Sequence, residues 1–122
     1  MTRVLVVDDD PQVLKLLRVN FELEGYDVIE AASGQEAIRA ARTKRPDVIV
    51  CDVMMPGMDG FEVLEQLRAD PKTADLPVVL CSAKAQRSDV VHGERSGADA
   101  YVTKPFDPQD LLDTVERVLA NA

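Results

Sequence analysis

Four short apolar runs, each halted at or near a group that carries chemistry, restrict this chain to very few folds. Val4-Leu5-Val6-Val7 ends on Asp8-Asp9, Val48-Ile49-Val50-Cys51 on Asp52, and Val78-Val79-Leu80-Cys81 on Ser82. The fourth run, Ala100-Tyr101-Val102, stops just before Lys104. Near-continuous apolar runs of this length read as parallel strands buried on both faces. In open sheets of such strands, ligands bind outside the carboxyl ends. An acidic pair, a lone acid, a hydroxyl and an amine are therefore expected to line one crevice.

Between the runs lie helical patterns. Asp10 is placed to cap a helix that starts at Pro11, with Val13, Leu14, Leu17 and Phe21 at helical spacing and Gly25 as its stop. A second strand follows over 27–31, and Ser33-Gly34-Gln35-Glu36 reads as a capping box for a helix running to about residue 44. The third strand is expected over 47–51. Pro56-Gly57 and Asp59-Gly60 mark the loop after it, and a helix then buries Phe61, Leu64 and Leu67 up to Asp70-Pro71. Strands are expected over 78–82 and 100–102. The segment 86–96 between them is the weakest helix, with Val90 and Val91 as its main apolar residues and Gly93 inside it. Asp107 and Pro108 open the last helix, whose stripe is Leu111, Leu112, Val115, Val118 and Leu119.

Strands alternating with helices imply an α/β fold: one five-stranded, doubly wound parallel sheet with five helices on its two faces. The common order for such a sheet is 2-1-3-4-5, which puts the switch point between strands one and three. Asp8-Asp9 and Asp52 leave the sheet there. The 122 residues suit a single domain. A net charge of −8 opposes direct binding to nucleic acid or to anionic membranes. No apolar stretch approaches bilayer length and Met1-Thr2-Arg3 carries no signal pattern, so the expected location is the cytoplasm. Cys51 and Cys81 are expected as small buried core residues rather than a disulfide.

Carboxylates gathered in one crevice repel one another, and Mg²⁺ relieves that repulsion through oxygen ligands while keeping several waters. Asp52 is the candidate nucleophile, since a carboxylate can attack phosphorus to give an aspartyl phosphate. Lys104 and Ser82 are candidates to hold phosphoryl oxygens. Taken singly, each has a plainer explanation: helix capping for the first acids, an Asx-turn for Asp52, a solvated loop for Lys104. Together, at matching strand ends, they point to phosphoryl transfer.

The stretches Val7-Asp8-Asp9, Asp52-Val53-Met54-Met55-Pro56-Gly57-Met58-Asp59-Gly60, Ser82-Ala83 and Lys104-Pro105-Phe106 resemble the receiver domain of two-component response regulators, over essentially the whole chain (1–122). The resemblance implies a flavodoxin-like fold and phosphorylation of Asp52 by a histidine kinase or a histidine phosphotransfer protein. It implies direct Mg²⁺ ligation by Asp9 and Asp52, help from Asp8 through water, and a ligand from the Met54 backbone carbonyl. Ser82 matches the switch hydroxyl, Tyr101 the switch aromatic, and the Lys104–Pro105 bond is expected to be cis. Met54 and Lys84 occupy the positions that tune phosphoryl lifetime. Met54 cannot orient water by hydrogen bonding, so slow self-dephosphorylation is expected.

The regulated surface is expected over the 86–96 helix, the fifth strand and the last helix. His92 is expected to lie exposed there. Two other classes remain open on these residues: an electron-transfer flavodoxin, and a Mg²⁺-dependent phosphohydrolase acting through an aspartyl phosphate. A flavin site prefers hydroxyls and amides to three acids after strand one. A phosphohydrolase of that kind usually needs an acid where Met54 stands, and a cap segment. The chain fits equally a stand-alone regulator and the receiver part of a longer one.

Overall fold

The computed structural model describes residues 1–83, 91, 92, 95 and 97–121. Its elements are β1 (Arg3–Val7), α1 (Pro11–Leu23), β2 (Asp27–Ala31), α2 (Gly34–Lys44), β3 (Val48–Asp52), α3 (Gly60–Ala69), β4 (Val78–Ser82), β5 (Ala100–Thr103) and α4 (Pro108–Ala120). The five strands form one sheet in the order β2-β1-β3-β4-β5. Every pairing is parallel. The fifth expected helix, 86–96, falls mostly outside the described residues.

Side chains alternate across a strand, and here both sets are buried. Leu5, Val7, Ile49, Cys51 and Leu80 face one layer with Ala37, Ala41, Phe61, Leu64 and Leu67 of α2 and α3. Val4, Val6, Val48, Val50, Val79 and Cys81 face the other with Leu14, Leu17 and Phe21 of α1 and Leu111, Leu112 and Val115 of α4. Two-sided burial is why these strands read as unbroken apolar runs. Both cysteines are free and buried.

The helix starts follow their capping residues. Asp10 accepts from the Gln12 amide and Asp107 from the Gln109 amide, each at 2.9 Å with proline next in sequence. Gly25, at φ +87°, takes the left-handed turn just past α1. At α2 the expected box is only half made. Ser33 Oγ accepts from the Glu36 amide at 3.2 Å, but the Glu36 carboxylate reaches back to the amide of Ala32, at 2.6 Å, one residue before the cap. The complete reciprocal box stands instead at α3, between Asp59 and Glu62. Asp59-Gly60, read as a turn, is thus a helix start.

β3 runs one residue further than expected. Asp52 pairs with Cys81 of β4, and the Val53 amide donates to the Cys81 carbonyl at 2.9 Å. Asp52 is therefore held by the sheet itself rather than by a loop. β5 likewise extends to Thr103, opposite Ser82. At the other edge of the sheet the Arg68 guanidinium donates to the carbonyls of Gly97, Ala74 and Leu76, the last at 2.7 Å. That fan ties the end of α3 to the entries of β4 and β5. No helix among the described residues is long and apolar enough to cross a membrane.

Candidate functional site

Four polar residues are buried among those described: Asp8, Asp52, Thr73 and Ser82. Thr73 is explained locally, since its hydroxyl donates to the Leu67 carbonyl at 2.7 Å. The other three stand where β1, β3 and β4 end. Burying a charge is costly unless it is paired, and the pairing defines the site.

Asp8 is 2% exposed and Asp52 6%. Lys104, just beyond β5, brings its Nζ to 2.8 Å from Asp8 Oδ2 and 3.3 Å from Asp52 Oδ1. Asp8 Oδ1 accepts from the Asp10 amide at 2.9 Å. Lys104 is itself fixed by the sheet, because its amide donates to the Ser82 carbonyl at 2.8 Å. The Lys104–Pro105 bond is cis. Asp9 is exposed at the rim, yet one carboxylate oxygen each from Asp8, Asp9 and Asp52 lie within 4.8 Å of one another.

The electrostatics follow from this geometry. Burial raises the Asp52 carboxyl above its ordinary range and the Asp8 charge adds to the rise. The Lys104 ammonium and the Met54 backbone amide, which hydrogen-bonds the carboxylate, only partly offset it. For Lys104, burial works to lower the ammonium; the hydrogen bond to Asp8 and the charges of Asp52 and Asp8 outweigh it, and the net shift is upward. Three carboxylates against one ammonium leave two negative charges uncompensated. An all-oxygen donor set with that deficit fits a hard divalent cation such as Mg²⁺. Soft metals are a poor match, since both thiols lie in the core rather than at the rim.

The structure thus brings Asp8, Asp9, Asp52 and Lys104 together. Ser82 ends β4 fully buried, and Tyr101 lies half-buried on β5, paired in register with Leu80 and packed against the core. The Met54 side chain points outward, 53% exposed. Lys84 lies outside the described residues. His92 is exposed as expected, but its ring stacks on Phe61 with centroids 4.1 Å apart and planes 10° from parallel. Nothing in the spacing of the sequence announces that contact, because the partners belong to different elements.

Comparison with known proteins agrees with this geometry. The family model described as the response regulator receiver domain matches residues 4–116. Protein PilH of Pseudomonas aeruginosa is 41% identical over 98% of this chain and 99% of its own length. The DNA-binding dual master transcriptional regulator RpaA of Synechocystis is 44% identical over 98% of this chain but only 49% of its own. The chain therefore spans about half the length of some curated relatives and nearly all of another. Among solved structures, the chemotaxis response regulator CheY4 of Vibrio cholerae superposes with a TM-score of 0.91 at 35% identity, over 97% of this chain and 98% of that one. A carboxylate crevice at the switch point of a 2-1-3-4-5 sheet, carried on a sequence matched from residue 4 to 116, means that this chain belongs to the receiver domain family of two-component response regulators.

Proposed function

We propose that Asp52 is the phosphoacceptor of a two-component switch, taking its phosphoryl group from the phosphohistidine of a histidine kinase or a histidine phosphotransfer protein. The observation that carries this reading is the Lys104 ammonium seated between the Asp8 and Asp52 carboxylates, at 2.8 and 3.3 Å. It marks the spot where a cation meets anionic oxygens, which phosphoryl transfer requires.

Asp9 and Asp52 would hold Mg²⁺ directly, Asp8 through water, with the Met54 carbonyl as a further ligand. When bound, Mg²⁺ neutralises charge on the transferring phosphoryl oxygens. Asp52 supplies the attacking carboxylate oxygen. An O–P bond forms as the imidazole N–P bond breaks, and the electron pair stays on the imidazole nitrogen. No general base is needed, because the nucleophile is already deprotonated. Lys104 exchanges a carboxylate partner for a phosphoryl oxygen, and the Ser82 hydroxyl turns to donate to another. Tyr101 follows Ser82 inward and alters the surface of β5, α4 and the segment 86–96. The chain, 1–122, acts in this reading as one cytoplasmic receiver unit. Its output is a partner protein or an attached effector, with no nucleic-acid contact of its own.

An excess of acids after β1 speaks against a flavin phosphate, and the thioether of Met54 against a phosphohydrolase. The test is acetyl phosphate with Mg²⁺, followed by intact mass. One phosphoryl group should be gained, lost in Asp52→Asn, and retained well beyond seconds at neutral pH. No mass gain in the unaltered chain overturns the phosphoacceptor reading. Decay within seconds overturns the part assigned to Met54.

A further inference from the structure

The loop that follows Asp52 is gripped at two points by residues that have no side chain. At its base, the Gly60 amide donates to the Val53 carbonyl at 2.9 Å. A Cβ on Gly60 would stand 2.6 Å from the Asp52 carbonyl oxygen and 2.7 Å from Val53 Cα. Both are main-chain atoms that cannot rotate away. Two residues before Gly60, Met58 lies against the first turn of α2. A Cβ on Gly34 would stand 2.8 Å from Met58 Cβ and 2.9 Å from both its Cγ and its Sδ. Met58 Cβ cannot withdraw without moving the loop backbone, because it is bonded directly to it.

Gly34 needs no left-handed backbone: no positive φ is found there, and it is the first residue of a regular helix. Alanine is the better helix former of the two. Local structure therefore does not ask for glycine at 34. The approach of Met58 does.

We infer that Gly34 is a positioning residue for the Asp52 site, acting through Met58 on the 53–59 loop. The inference rests on the phosphoacceptor reading and deepens it. Closed at its base by the Gly60–Val53 bond and seated on Gly34 at Met58, the loop holds Met54 beside the Asp52 carboxylate, to which the Met54 amide is hydrogen-bonded. A methyl group at 34 pushes the loop at Met58 while the Gly60–Val53 bond holds its base, so the displacement falls on residues 54–57 between Val53 and Met58, Met54 among them.

The test is a double-mutant cycle of Gly34→Ala and Met58→Gly, read three ways on the full chain. The readings are amide hydrogen exchange of 53–60 in metal-free protein, the Mg²⁺ dissociation constant by calorimetry, and the rate of phosphorylation by acetyl phosphate. Gly34→Ala should speed exchange in the loop and weaken Mg²⁺ binding by about tenfold, the order of effect that follows when the groups orienting metal ligands are disturbed. In the Met58→Gly background the same substitution should have little effect, because the atoms it would meet are gone. Equal effects of Gly34→Ala in both backgrounds would make the glycine a feature of α2 alone and overturn the inference. So would Mg²⁺ affinity and loop exchange within twofold of the unaltered chain. If the unaltered chain takes up neither Mg²⁺ nor phosphate, the phosphoacceptor reading itself fails and the inference falls with it.

Discussion

Asp52 and Lys104 show what single residues contribute here. The Asp52 carboxyl is raised by burial and by Asp8, so its charged form is less comfortable folded than unfolded. The sign follows: a raised carboxyl costs the folded state stability once the pH exceeds the ordinary carboxylate range. Asp52→Asn in chelator at neutral pH should therefore melt a few degrees higher than the unaltered chain, while losing most of the thermal shift that Mg²⁺ produces. A lower melting temperature in differential scanning calorimetry would contradict this. Lys104→Ala works the other way. It leaves the buried Asp8 carboxylate without its nearest cation and should cost about 3 kcal/mol in urea unfolding, as breaking a buried pair does. Saturating Mg²⁺ should stabilise that variant more than the unaltered chain, because it supplies the missing positive charge. The convergence of these residues was legible in the sequence because each acid or amine follows a recognisable strand. Which acid Lys104 approaches more closely was not, since both leave the sheet at the same edge and only side-chain geometry separates them.

Elements were readable wherever a periodic pattern and a capping residue agreed. β1 and β4 follow their apolar runs, β2 takes its expected bounds of 27–31, and Asp10 and Asp107 each start a helix with proline next in sequence. Disagreement arose where one short motif has two meanings. Asp59-Gly60 makes a good turn and an equally good helix start, and Glu62, three residues on, decides between them. Ser33 and Glu36 have the right spacing for a reciprocal box, yet the carboxylate finds the Ala32 amide instead. Contacts between elements leave no local trace at all. The Arg68 fan is the clearest instance, joining α3 to Ala74, Leu76 and Gly97. Arg68→Ala should cost about 2–3 kcal/mol, given three backbone carbonyls losing a charged donor. Arg68→Lys should recover little of it, because one ammonium cannot span the three positions. Urea unfolding of both variants checks this; full recovery by lysine would reduce the fan to a simple charge effect.

For the whole molecule, the sheet places its chemistry at one edge and its protons deep inside. Burial pushes the Cys81 thiol up to about 12 from 9.0, with Lys104 opposing and Asp52 and Asp8 adding to the rise. Cys51 moves well above 9.0, again chiefly through burial, with Cys81 and Asp52 contributing. Tyr26 is raised from 10.0 by burial and then by Glu116 and Glu24, and Lys104 is raised from 10.5. All four hold their protons more tightly folded than unfolded. The stability tied to them is complete below their ordinary values and drains away as the pH climbs past those values. Thermal melts should therefore show a plateau at neutral pH and a progressive fall above about pH 9, where the unfolded thiols begin to ionise. The fall should be shallower in a Cys51→Ala/Cys81→Ala chain, and an unchanged slope would assign it to other groups. The same sealed thiols have a practical side. Maleimide dyes attack thiolates, and the two native sulfurs offer neither the charge nor the access at neutral pH. A cysteine engineered onto the outer face of α2 would then take up one fluorophore against an almost silent background, making the chain a ready substrate for single-molecule work without first removing its own sulfur.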